Sequence, residues 1–165
     1  MKKLLLSATA ICLGLFAQAQ TQRMVLIEEF TQASCGPCAS QNPAFNALLS
    51  NNTAKVVSLK YQTSWPGVDP MNAQNPTDVQ TRVTYYNVTG VPNGRVDGPA
   101  IVNDCSYYTG APACLSQSEI DAQYNVPSPF SLSVTHVMSS DWDSAYVTVV
   151  ITAAQAFTAT SALRF

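Results

Sequence analysis

Apolar and polar positions alternate between two periods along this chain. From Val25 to Phe30 a run of β-formers leads into a polar turn, and Phe45, Leu48 and Leu49 then recur at helical spacing. That order predicts strand, turn, helix. Lys55 to Tyr61 (KVVSLKY) predicts the next sheet strand, reached by a right-handed crossover. Gln62 to Gln74 carries two prolines and a glycine and reads as a loop anchored by Trp65. Trp65 and Tyr61 either line an approach to Cys35 or pin that loop to the body. Asn75-Pro76-Thr77-Asp78 opens a second helix, with Asn75 as cap and a buried stripe of Val79, Val83 and Tyr86. Asn93 to Gly98 predicts a short strand, and Pro99 to Val102 its neighbour. Ser116 and Glu119 form a capping-box pattern ahead of Ile120 and Tyr124, predicting a last helix.

Past Val126-Pro127-Ser128-Pro129 the period changes to two. Phe130, Leu132 and Val134 alternate with serine and threonine, a turn follows at Ser139 to Asp143, and Ala145, Val147, Val149 and Ile151 alternate again. A third strand is expected over Ser161 to Phe165. Two or three strands cannot make an independent core. Either the hairpin packs on the preceding body or residues 127–165 begin a β-sandwich that continues in a longer protein; the second is the reading adopted.

Composition changes this picture at the N-terminus. Lys2 and Lys3, the apolar run Leu4 to Ala17, and Ala17-Gln18-Ala19 form a secretory signal peptide over residues 1–19, with Cys12 removed alongside it. The run is too short for a stable membrane span. Four cysteines then remain, an even number suited to an oxidising compartment. The 165 residues hold eight basic and ten acidic side chains; removing Lys2 and Lys3 leaves six and ten, a formal charge near −4. Nothing in that balance favours nucleic acid or an anionic membrane surface.

The candidate chemistry lies in Cys35-Gly36-Pro37-Cys38. Cys35 falls at the predicted helix N-terminus, where unpaired N–H groups and the helix dipole favour a negative sulfur, and only a thiolate attacks a disulfide. Cys35 is the candidate nucleophile. Cys38, on the same helical face, is placed to resolve a mixed disulfide, and Pro37 suits a first turn. The same spacing also serves half-sites for zinc and structural disulfides. Zinc would need a second ligand pair, yet Cys105 and Cys114 are separated by eight residues and His136 is the sole histidine. No metal or other cofactor is therefore expected. Cys105 and Cys114 bracket SYYTGAPA and read as a structural disulfide contributing roughly 2 to 3 kcal/mol; a second redox centre is the alternative.

Residues VLIEEFTQASCGPC resemble the strand and active-site turn of the thioredoxin superfamily. Thr89-Gly90-Val91-Pro92 resembles the loop that carries that family's cis-proline, and Glu29 falls six residues before Cys35, where thioredoxins keep a buried acid. The resemblance covers about residues 24 to 125. It departs at Ser34, which replaces a tryptophan, at Glu29, which replaces an aspartate, and in the 54 positions from Cys38 to Pro92, which imply an insertion. Exported thioredoxin-like proteins of outer-membrane-associated bacterial families look similar in layout.

The resemblance implies an α/β, thioredoxin-like fold over residues 20–126, a central mixed sheet flanked by helices, followed by the incomplete β-sandwich segment 127–165. It implies an exported thiol–disulfide oxidoreductase, in the periplasm, at the outer membrane or secreted. Cys35 and Cys38 would be catalytic, with Glu29 moving the proton. Val91 and Pro92 would hold protein disulfide substrates, and Gly36-Pro37, typical of reducing thioredoxins, favours reduction. An electron donor or acceptor, which the sequence does not name, is implied as partner. The rival expectation is a surface binding or adhesion protein using the unit as a scaffold; a metal carrier is the weaker third.

Overall fold

The computed structural model describes residues 21–101 and 105–154, together with 156 and 158. The signal peptide expected over 1–19, Val102 and the strand expected over 161–165 lie outside the described residues. Among the described residues two compact units are present: Met24–Val126, and a second comprising residues 21–23 with 127–154.

The larger unit is a mixed α/β layer structure. Strand β1 (Val25–Thr31) is central in a three-stranded sheet; β2 (Val56–Gln62) pairs with it in parallel and β3 (Asn93–Val96) antiparallel. Helix α1 (Gly36–Ser50) joins β1 to β2, α2 (Pro76–Tyr86) precedes β3, and α3 (Gln117–Tyr124) closes the unit. Because side chains alternate across a strand, β1 feeds two cores. Val25 and Ile27 pack with Phe45 and Leu49 of α1 and Ile120 of α3, while Phe30 on the other face packs with Val79 and Val83 of α2. Burial on both faces explains why β1 reads as a nearly continuous apolar run, and makes the adjacent Glu28 and Glu29 its notable residues.

Trp65 joins the Phe30, Val79, Val83 cluster, and Tyr61 stacks on Phe30 at 5.0 Å. Trp65 thereby pins the 62–74 segment to the α2 side, and Val91 packs on the same cluster. Asn75 precedes α2 but does not cap it with its side chain, which donates to Asp78 Oδ2 at 3.0 Å; Pro76 occupies the first turn as expected. The strand expected to run to Gly98 ends at Val96. Asp97 and Gly98 both have positive φ (51° and 107°), and Val96 N–H donates to Pro99 O at 2.9 Å, so Asp-Gly makes a tight hairpin turn. The returning chain bridges Arg95 at Ala100. Ser116 caps α3 by accepting the Glu119 N–H at 3.2 Å.

In the smaller unit β4 (Phe130–Met138) and β5 (Ala145–Ala153) form an antiparallel hairpin. Leu132 faces Ile151, Val134 faces Val149 and His136 faces Val147 across the strands. This register puts the alternating apolar residues on one face, as their period of two requires.

Candidate functional site

Cys35 and Cys38 are joined by a disulfide at the start of α1. Cys35 is the N-cap residue, with extended backbone (φ −80°, ψ 110°), and its Sγ takes the place of a capping oxygen by accepting the Cys38 N–H at 3.1 Å. No acidic side chain stands in the first turn. On reduction, that N–H and the helix dipole would stabilise a Cys35 thiolate. Both cysteines are buried, whereas Gly36 and Pro37 between them are exposed. Pro43 interrupts the α1 ladder further along and deprives the Ala39 carbonyl of its helical donor. Ala39 is exposed, so water can take that place.

The Val91–Pro92 peptide bond is cis, as is Trp65–Pro66. Cys35 Sγ lies 3.6 Å from the Val91 carbonyl oxygen, a contact that becomes a hydrogen bond only when the sulfur carries a proton. Thus the structure brings Cys35, Cys38, Val91 and Pro92 together.

The turn leading to Cys35 is held by groups that sequence reasoning passed over. Asp69, buried in the 62–74 segment, accepts the Ala33 N–H at 2.9 Å through Oδ2, and its Oδ1 accepts the Met71 N–H at 2.8 Å. Gln32 Oε1 accepts from both the Ser34 N–H and its hydroxyl, each at 2.7 Å. Gly67 packs so closely on this turn that an added Cβ would stand 2.4 Å from Ser34 Oγ. The local signal for Asp69 was the Asx-type turn in Asp69-Pro70-Met71; its bond to Ala33, 36 residues away, carried none.

A cleft of about 320 Å³ opens beside the disulfide, lined among others by Cys35, Cys38, Gln32, Asn42, Lys60 and Met71. Glu29 is absent from its lining. Its carboxylate is buried on the α1 face of β1 and pairs with Lys60 through Oε2, while Oε1 has no hydrogen-bond partner. Burial pushes the Glu29 carboxyl above its ordinary value, and the Lys60 ammonium only partly offsets this. A raised carboxyl exchanges protons nearer neutrality than an ordinary glutamate. The sign for stability follows directly. A native carboxyl that resists ionisation costs stability above its pKa, and the cost vanishes below the unfolded value. Glu29→Gln is expected to raise the stability of the protein at pH 7 and to lose that advantage below about pH 4; paired thermal melts at the two pH values check this.

Glu28, on the opposite face, is fully buried and richly bonded. Arg82 Nε donates to Oε1 at 2.7 Å and Nη2 to Oε2 at 3.0 Å, Tyr61 OH donates at 2.9 Å and Tyr86 OH at 2.5 Å. Burial alone would raise this carboxyl, but the bonds from Arg82, Tyr86 and Tyr61 outweigh it and hold the group below its ordinary value.

Cys105 and Cys114 form a second disulfide, with Cys114 in the core beside Leu115 and Ile120. Among the described residues no cluster of three metal-ligating side chains occurs, and no helix is long and apolar enough to cross a membrane.

No protein-family model and no curated protein sequence matches this chain. Among solved structures it is similar to HBP35 of Porphyromonas gingivalis, with a TM-score of 0.52 and 15% sequence identity over 70% of this chain. The match spans 37% of that protein, little more than a third of its length. At this identity the likeness concerns the fold alone.

Proposed function

We propose that the Met24–Val126 unit is thioredoxin-like and that Cys35–Cys38 is the redox centre of an exported thiol–disulfide oxidoreductase, working as a protein-disulfide reductase. One observation carries this reading: the disulfide sits at a helix N-terminus, with Cys35 Sγ capped by the Cys38 N–H and 3.6 Å from the Val91 carbonyl. A helix start stabilises the attacking thiolate, and main-chain groups beside it can pair with an extended substrate.

In the reduced protein the Cys35 thiolate attacks one sulfur of a substrate disulfide, forming a mixed disulfide and expelling the other sulfur as a thiolate. Cys38 then gives up its proton, for which Glu29, a buried carboxyl with a raised pKa, is the proposed acceptor, and attacks Cys35 Sγ. The Cys35–Cys38 disulfide forms and the second substrate sulfur leaves, taking up a proton. Two electrons pass from protein to substrate, and an external dithiol must return them. Export by the signal segment 1–19 and protein disulfides as substrates belong to the same proposal.

The test is reduction of a disulfide-bonded peptide with dithiothreitol as donor. A rate well above that of dithiothreitol alone supports the reading; equal rates turn it to a binding scaffold.

A further inference from the structure

The loop closed by Cys105 and Cys114 is anchored at several points. Cys114 is buried in the core. Gly110 N–H donates to Ile101 O at 2.8 Å, and Gly110 O accepts the Gly94 N–H at 2.6 Å. Gly110 has φ +91°, and an added Cβ there would meet Asn93 Nδ2 at 2.5 Å, so the loop sits against β3 as only glycine permits. Tyr108 stands between these anchors. Its side chain is nearly half exposed (45%), yet its hydroxyl is turned inward and donates to the main-chain carbonyl of Pro92. Gln41, buried on α1 three residues after Cys38, accepts the Ala113 N–H at 3.2 Å, and its side chain tempers the rise in the pKa of the same phenol.

A tyrosine this exposed gains modestly from burying its ring, so its polar bond is what fixes it in place. That bond falls on the residue next to Val91, whose carbonyl lies 3.6 Å from Cys35 Sγ. We propose that Tyr108 is a positioning residue for polypeptide substrates: by holding the Pro92 carbonyl it fixes the Val91 main-chain edge along which an extended substrate strand lies beside Cys35. The consequence for turnover rests on the oxidoreductase reading; the contact itself does not. Burial lifts the Tyr108 phenol above the ordinary tyrosine value despite the Gln41 side chain, with the Glu29 charge adding to the rise, so the hydroxyl remains a donor at neutral pH.

A small disulfide has no main chain to align, and this separates the role from a general structural one. The experiment compares Tyr108→Phe with wild type, using the full protein, dithiothreitol as donor, and two substrates: a disulfide-bonded peptide and bis(2-hydroxyethyl) disulfide. Amide hydrogen exchange over residues 89–93 is followed in parallel. The expected result is about a fivefold fall in kcat/KM for the peptide, the range one hydrogen bond supplies, carried mainly by KM. Turnover of the small disulfide stays unchanged, and exchange over 89–93 quickens. Equal losses on both substrates, or no loss on the peptide, would overturn the proposal. Should wild type reduce neither substrate, the oxidoreductase reading fails, and hydrogen exchange alone decides the Tyr108 contact: faster exchange over 89–93 upholds it and unchanged exchange removes it.

Discussion

Replacing Cys35 with serine is expected to lower disulfide reduction by at least about a thousandfold, because a hydroxyl cannot supply the thiolate that the step requires. Replacing Cys38 should act differently. Cys38→Ser leaves the proposed nucleophile at the helix N-terminus and removes the thiol proposed to release the product, so a covalent adduct between Cys35 and one substrate sulfur should accumulate. Mass spectrometry of the protein after a single exposure to a disulfide peptide reads both results. An adduct with Cys38→Ser and none with Cys35→Ser is the expected pattern; the reverse would assign nucleophile and resolving thiol the other way round. The asymmetry has a local cause in the structure. Cys35 Sγ accepts an N–H at the cap, whereas Cys38 lies inside the first turn.

The largest stability effect is expected at Glu28. Its carboxylate has no exposed surface, and Arg82, Tyr61 and Tyr86 converge on it from β2 and α2. Glu28→Gln would leave Arg82 without its charge partner. Breaking a fully buried pair costs about 3–5 kcal/mol, and Arg82, one-third exposed, recovers part of this from water. A loss of about 2–4 kcal/mol is expected, lowering the Tm by roughly 10 °C or more for a unit of this size. The pH dependence has a definite sign. The folded-state pKa is depressed, so the contribution of Glu28 is fully present above the unfolded value of 4.5 and is lost as pH falls through the folded value. Wild type should therefore lose stability on acidification below pH 4.5 more steeply than Glu28→Gln. Urea titrations between pH 3 and 7 would measure both slopes, and parallel slopes would contradict the assignment.

How much of this was legible in the sequence depended on range. The run Val25 to Phe30, the helix carrying Phe45 and Leu49, and the alternating hairpin strands were readable because each period reports a local geometry. The placement of Cys35 at a helix start followed from the same pattern. Asp97-Gly98 was a turn signal that the strand expectation over 93–98 ran through; two consecutive positive φ values favour that dipeptide strongly. Trp65 and Tyr61 could not be assigned a side of the sheet, since the loop that carries Trp65 has no period. The resemblance pointed to Glu29 by its place before Cys35 and to no role for Glu28; their alternation across β1 separates a carboxylate bound by Arg82 from one paired with Lys60. Asp69 and Tyr108 act on main-chain atoms of distant segments, Ala33 and Pro92. No spacing in a single chain encodes such contacts.

The proposed function requires that the Cys35–Cys38 disulfide exchanges and is poised to reduce. Its equilibrium with dithiothreitol or glutathione buffers of known potential, followed by trapping free thiols, tests that most directly. A two-electron transition assigned to this pair by its absence in Cys35→Ser is expected, with a midpoint near the thioredoxin level of about −270 mV. A midpoint near −120 mV, where strong oxidants lie, would contradict the reductase reading, and a pair that exchanges with neither buffer would contradict the oxidoreductase altogether.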